Sequence, residues 1–287
     1  LNAAHDRYFY LLDQSQRIAA KAKSVATVVK NAVSRTEKKL AIQRQSVLEA
    51  ENREELKNFG DLVLSNLWQI KPKQTELVCQ DYATGKTVTI ALDPQLNPQQ
   101  NAQAYYKKYR KQKSSAEHNA KLAEENEKLL DYLQTIKQNL KYCADEADLE
   151  QIRAELVTLG LTKENKTKQR GQSPVAKPLK YVIQGFTVLV GKNNAQNNEV
   201  TFKLAKQGDV WVHTQKIHSS HVVILKGDAP SVPDSVIVTA AEICAYFSQA
   251  SQGSKIAVDY TDRANVKKPP KAPLGFVIYP TYNTIIV

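Results

Sequence analysis

Val29, Val33, Thr36, Leu40, Gln43 and Val47 step alternately by four and three through a stretch with no proline, and no glycine before Gly60. That is a heptad seam with two polar positions, and flanks dense in Lys, Arg, Glu and Gln predict a long coiled-coil helix. Leu129, Leu133, Ile136, Leu140 and Cys143 repeat the same steps, and the seam extends backward to Asn126 and Leu122. This second helix starts at Asn97-Pro98-Gln99-Gln100, where an Asn cap, a first-turn proline and a Gln three residues on form a capping box. It is expected to run to about Tyr142. Between the helices, Gly60–Ile70 reads as a helical extension, and the runs Thr75–Tyr82 and Lys86–Leu92 alternate around Thr84-Gly85 as a hairpin. Two helices of about 45 residues joined by a short knob should pair antiparallel.

After Cys143 the period changes. Asp145–Leu161 predicts a further short helix ending near Gly160, and residues 162–178 are polar, basic and punctuated by Pro and Gly, as a linker would be. From Leu179 the pattern becomes short alternating runs, interrupted by one amphipathic helix over Ser235–Ser248. Strands are expected near Lys255–Thr261, Phe276–Tyr279 and Thr284–Val287. The fold class is therefore α+β: a long antiparallel coiled-coil arm with a small β-hairpin knob, then a mixed, mainly antiparallel domain. The expected division is 1–59 and 97–144 for the arm, 60–96 for the knob, 145–178 for helix and linker, and 179–287 for the α+β domain.

The 287 residues carry a net charge of +11, which favours polyanionic partners, RNA first. A basic protein with no nucleic-acid role fits the same charge. The three cysteines, Cys79, Cys143 and Cys244, fit no metal spacing, and their odd number argues for a reducing cytosol over a disulfide framework. No apolar run approaches the ~18–20 residues of a membrane span, so no membrane insertion is expected. The absence of methionine, at position 1 included, reads as a piece of a longer protein.

The chemistry concentrates in Gly191–Leu225. A strand ends in Gly191-Lys192, an asparagine-rich turn follows, and a helix is expected to start near Asn197 and Asn198, whose side chains can cap it. Free N–H donors, a helix dipole and Lys192 together suit an anion such as phosphate. Asp209, Trp211 and His213 alternate along a strand and share a face. His213, His218 and His221 with Asp209 carry the letters of a zinc site, and Asp209, Ser219 or Ser220 and His221 those of a triad. No cysteine or helical i, i+4 histidine pair supports the first, and no Gly-x-Ser-x-Gly elbow the second. No P-loop or dinucleotide motif is present. Trp211 is open to two readings, core filler or a platform for a stacked base. Lys192, Lys267 and Lys268, in Gly/Asn or Pro turns, are placed as phosphate contacts on a sheet rim, or as solvated surface charge. On the arm, Lys107, Lys108, Arg110 and Lys111 interleave with Tyr105, Tyr106 and Tyr109; the lysines are candidate contacts and the tyrosines packing residues.

The run Gly191-Lys192-Asn193-Asn194, Gln196-Asn197, Thr201, Lys203-Leu204-Ala205, Asp209 to Thr214 and Ser220 to Ile224 resembles the NFACT-R domain of the RqcH/NEMF family. Bacterial members are often termed fibronectin-binding protein A-like. Val266–Pro269 and Gly275–Tyr279 extend the resemblance, and LDPQLNPQQNAQAYYKKYRKQK is similar to the family's middle coiled-coil segment. The family's Pro-Gly before Ser-His is replaced by His218-Ser219. The resemblance implies ribosome-associated quality control: binding of large-subunit RNA and tRNA in the cytoplasm, in support of alanine tailing of stalled chains. It implies RNA-binding roles for Gly191, Lys192, Asn193, Asn194, Asn197, Asp209, Trp211, His213, Ser220, His221, Lys267 and Lys268. It implies no cofactor and no enzyme activity of this stretch, which is expected to bind without completing the tailing reaction. The other expectation is a surface-displayed adhesin for fibronectin or fibrinogen. Exposed heptads can also pair between chains, which leaves the oligomeric state open.

Overall fold

The structure is a computed structural model that describes residues 2–143, 145–163 and 176–287, with side chains at 12, 13 and from 16 onward. Most of the expected 162–178 linker, residues 164–175, lies outside the described residues. The chain forms two compact units, Arg35–Leu129, and Leu1–Ser34 together with Leu130–Val287.

Helices α1 (Asn2–Glu49) and α3 (Pro98–Asn139) supply the coiled coil. Within the Arg35–Leu129 unit their pairing is antiparallel: Asn126 donates to Gln43 at 3.0 Å, while Asn119 donates to Ser46 at 3.0 Å. The polar positions of the two seams therefore meet each other. An amide pair inside an apolar seam is satisfied in one register only, which fixes the alignment of the helices. Thr36, Leu40 and Gln43 are buried as their spacing predicts, whereas Ile42 is exposed. The start of α3 is the expected capping box, with Gln100 N–H on Asn97 Oδ1 at 2.8 Å and Asn97 N–H on Gln100 Oε1 at 2.9 Å.

The knob of this unit consists of α2 (Arg53–Ser65) and an antiparallel hairpin, β1 (Glu76–Gln80) and β2 (Thr87–Ala91). Leu62, Val63, Leu77, Ile90 and Ala102 form its core. Asp81 closes the hairpin by accepting from Ala83 N–H and the Thr84 hydroxyl, both at 2.9 Å. Those hydrogen bonds, the Ala83 amide first, hold its carboxyl below the usual range.

In the second unit, Val29, Ile136, Ile152 and Leu156 bring α1, α3 and α4 (Glu146–Thr158) together. Asp145 caps α4 by accepting from Asp148 N–H at 2.8 Å. The C-terminal part is a six-stranded antiparallel sheet in the order β3-β4-β6-β5-β7-β8. Its strands are β3 (Leu179–Ile183), β4 (Phe186–Val190), β5 (Val210–Thr214), β6 (Val222–Leu225), β7 (Ala257–Asp262) and β8 (Asn283–Ile286). The Phe276–Tyr279 run expected as a strand forms only the Lys267–Ile278 bridge, because Pro269, Pro270 and Pro273 interrupt the chain facing it.

Strand alternation sorts the sheet into two faces. Val188, Val190, Val212, Val222, Ile224 and Val258 face one way. There they meet helix α6 (Asp234–Tyr246) through Val236, Ile237, Ala240, Ala241 and Cys244. Leu189, Trp211 and Val223 face the other way, under a short helix α5 (Asn194–Glu199), its continuation Val200–Leu204 as a π turn, and Val266.

Candidate nucleic-acid interface

The second face is where the NFACT-R-like residues gather, and its geometry starts at Gly191. Its N–H donates to the His221 carbonyl at 3.1 Å, continuing the β4–β6 ladder. A Cβ at this position would fall 2.3 Å from Asn197 Oδ1 and 2.7 Å from the Asn197 nitrogen, so no side chain fits. The same Asn197 Oδ1 accepts from His221 N–H at 3.0 Å. Gly275, at φ +74°, closes over the other side, where a Cβ would meet Asn194 Oδ1 at 2.9 Å.

The helix begins earlier than Asn197 or Asn198. Asn193 is the cap, accepting from Gln196 N–H at 2.9 Å, and α5 opens at Asn194. Four asparagines in six positions offer equivalent caps, so composition alone does not select one. This helix end is also closed. Gln196 Oε1 accepts from Lys192 N–H at 3.1 Å, and Lys192 Nζ donates to Asp148 of α4 at 2.6 Å. Gln196 Nε2 donates to the other Asp148 oxygen at 2.8 Å, and Asn193 Nδ2 to Gln151 at 2.8 Å. Lys192 is thus 4% exposed and ion-paired, not a rim lysine facing solvent, and the expected phosphate cradle is occupied by α4.

Thr201 is the hub of the aromatic layer. An indole N–H only donates, so the Thr201 oxygen accepts from Trp211 Nε1 at 3.2 Å. Its own proton is then free for His221 Nδ1 at 2.8 Å. Trp211 is fully buried, stacks on His213 at 5.4 Å and 6°, and meets His221 edge-on at 5.1 Å and Tyr279 at 4.8 Å. With no surface exposed, Trp211 serves packing in this fold and not base stacking. Burial holds His213 down at about 4 and holds His221 well below its ordinary value. Both rings are therefore neutral near pH 7.

Asp209 lies just before β5. Its carboxylate accepts from Lys206 N–H at 2.7 Å and Lys226 N–H at 2.8 Å, and its carbonyl from Arg263 N–H at 2.9 Å. It ties three loops together at one end of the sheet and is not paired with a histidine. Ser220 is buried, and its Oγ has no hydrogen-bond partner among the described residues. With His221 Nδ1 taken by Thr201, no Asp–His–Ser relay is assembled. Among the described residues no group of three or more His, Cys, Asp or Glu is arranged to hold a metal ion.

Gly191, Lys192, Asn193, Asn194, Asn197, Asp209, Ser220 and His221 are all buried, so the structure brings them together as a framework. Lys267 and Lys268 are the exposed members. Lys267 is held by its backbone, which exchanges two 2.9 Å hydrogen bonds with Ile278, and Lys268 Nζ reaches Asn198 Oδ1 at 3.2 Å. Arg263 lies over the Phe202 ring at 4.8 Å and donates to the Thr201 carbonyl. In the other unit, Lys107, Lys108, Arg110 and Lys111 are exposed. Their neighbouring tyrosines face the knob: Tyr105 donates to the Ala91 carbonyl at 2.6 Å, Tyr106 to Asp61, and Tyr109 to Glu54 at 3.3 Å.

The residues that sequence reading overlooked are Asp148, Gln151 and Glu155, three polar positions on one face of α4. The signal was present: i, i+3, i+7 spacing aligns them beside Leu149, Ile152 and Leu156. Glu155 is buried and accepts from the Tyr132 hydroxyl at 3.0 Å. Burial pushes its carboxyl up to about 7, which the hydrogen bond from Tyr132 only partly offsets.

Residues 1–174 match the family described as NFACT N-terminal and middle domains, and residues 180–277 match the NFACT protein RNA binding domain. A relative from Streptococcus suis (strain 05ZYH33), the Rqc2 homolog RqcH, is 36% identical over 283 residues, covering 97% of this chain and 50% of its own. The Rqc2 homolog RqcH of Bacillus subtilis (strain 168) is 35% identical over 292 residues, with 98% and 50% covered. This chain spans about half the length of these curated relatives. Among solved structures, the C-terminal part of the fibronectin/fibrinogen-binding protein from Streptococcus suis superposes with a TM-score of 0.70 at 32% identity. That match covers 94% of this chain and 95% of the other.

Proposed function

From a chain that belongs to the NFACT family and carries a match to its RNA-binding domain, we propose a ribosome-associated quality-control factor that works by binding RNA. Its partners in this reading are large-subunit ribosomal RNA and tRNA in the cytoplasm, bound in support of alanine tailing of stalled chains. Residues 179–287 act as the RNA-binding domain, with Lys267 and Lys268 neutralising backbone phosphates. The coiled-coil arm, over 1–59 and 97–144, offers Lys107, Lys108, Arg110 and Lys111 as a second contact. The chemistry required is charge neutralisation, not bond making, which suits a site whose histidines are neutral and whose buried polar groups are mostly engaged with one another.

The observation that carries this reading is the match over 180–277, joined to the charge pattern. From Ala264 to Val287 there is no acidic residue, while Lys267, Lys268 and Lys271 are all exposed. Ultraviolet cross-linking in cells, followed by sequencing of the RNA bound to the full-length protein, tests it. Enrichment of large-subunit RNA and tRNA is expected. Recovery of RNA in proportion to cellular abundance, with nuclease-resistant binding to immobilised fibronectin, contradicts it.

A further inference from the structure

Five non-glycine residues among those described have positive φ: Lys73, Gln184, Lys216, Lys255 and Lys271, and four of the five are lysine. This left-handed region costs an L-residue free energy that glycine does not lose, and Asn and Asp are the usual exceptions. Lysine has no short polar group with which to offset the strain. Its repeated use there means that the side chain is retained where the backbone alone would favour glycine. Strain kept in this way concentrates at functional positions.

Three of the four lie in loops of the sheet domain. Lys216 is in the turn between β5 and β6, Lys255 directly precedes β7, and Lys271 is in the segment between Val266 and Gly275. The first two loops leave the same end of the sheet. Gln215 N–H donates to the Ala257 carbonyl at 2.8 Å, and Gln249 N–H to the His218 carbonyl at 2.9 Å. The third leaves β7 at the opposite end, past Asp262, and reaches this end at Gly275, which closes on Asn194 just past the end of β4. All three lysines are exposed, and none has a hydrogen bond or ion pair among the described residues. No acid occurs between Val210 and Gly227, between Ile243 and Val258, or from Ala264 to Val287. Asp131 of α3 does meet this end, with His218 Nε2 3.3 Å away. At the opposite end the loops carry Asp209, Asp228 and Asp262.

We propose that Lys216, Lys255 and Lys271 form a phosphate-contacting rim for RNA at this end of the sheet, each held in a strained turn that aims its charge. The proposal rests on the RNA-binding reading above and adds to it which edge of the domain the backbone crosses.

Substitution by glycine separates the charge from the turn. In the full chain, Lys216→Gly, Lys255→Gly and Lys271→Gly combined should leave the thermal midpoint unchanged or raise it, since strain is relieved. Binding of a labelled mixed-sequence 20-nucleotide single-stranded RNA, titrated across KCl concentrations, should weaken. Its logarithmic salt slope should become shallower by about 2 for three lost contacts. Gln184→Gly, in the β3–β4 turn, should relieve strain without changing binding, and Lys206→Gln with Lys226→Gln at the opposite end should leave the slope nearly intact. An unchanged slope in the triple variant overturns the rim. So does an equal loss from Lys206→Gln with Lys226→Gln, which would mean diffuse charge, or a steep fall in the midpoint, which would mean a structural role. Failure of the unsubstituted chain to bind any RNA would instead overturn the functional reading itself, and the rim with it.

Discussion

The two faces of the six-stranded sheet are built from different physics. Under α6 the contact is almost wholly aliphatic, Val188, Val190, Val212, Val222, Ile224 and Val258 against a stripe of small and branched side chains. On the other face, Thr201, Trp211, His221, Asn197 and Gln196 meet through hydrogen bonds with α4 and α5, and Asp148 and Lys192 form a buried ion pair. The aliphatic face is non-directional, and any well-filling set of residues would serve. The polar face has one arrangement that satisfies its groups, so its residue types are narrowly specified. That is why the family resemblance is written on the second face. A residue diagnostic of the family is therefore not necessarily exposed.

The buried ion pair gives the strongest test of this contrast. Lys192→Ala leaves Asp148 buried without its cation and should cost ~3–5 kcal/mol in denaturant unfolding. Replacing both partners, Lys192→Met with Asp148→Leu, should recover most of it. If the single variant unfolds like the unsubstituted protein, the polar face is not the framework described. On the aliphatic face, Ile224→Ala should cost ~2–5 kcal/mol through a cavity, and the folded fraction should bind RNA unchanged.

A smaller effect depends on pH. Glu155 keeps its proton in the folded state up to about 7, whereas the unfolded carboxyl loses it near its ordinary value of 4.5. The folded state binds more protons in that window, so this group's contribution to stability is fully present below about 4.5 and is lost as pH rises through 7. Glu155→Gln should therefore stabilise by roughly 1–3 kcal/mol at pH 8 and by little at pH 5. His213 acts with the opposite sign, because its folded value of about 4 lies below its unfolded 6.5, and stability falls as pH drops between them. The difference between variant and unsubstituted protein isolates Glu155. An equal effect at both pH values would place that carboxyl in contact with water.

Much of the architecture was legible in the sequence because it is periodic. The heptad seams, the Asn97–Gln100 box and the α6 stripe each depend on spacing within one element. Lys192 differs from its sequence expectation because Gly-Lys-Asn-Asn has the composition of an exposed turn, and the carboxylate that buries it lies 44 residues upstream. The start of α5 is not legible in the sequence because a six-residue helix is too short to show a period. The strained lysines leave no sequence mark, since φ depends on the turn and not on the residue found there.

In this picture buried family residues hold the domain together, and exposed lysines are proposed to hold RNA. The decisive experiment measures unfolding midpoint and RNA affinity side by side, for Lys192→Met and for Lys267→Ala with Lys268→Ala in the full chain. The first variant should lose stability yet bind normally at temperatures where it is folded; the second should unfold normally and bind more weakly, with a shallower salt dependence. A Lys192→Met protein as stable as the unsubstituted chain but defective in RNA binding would contradict this picture.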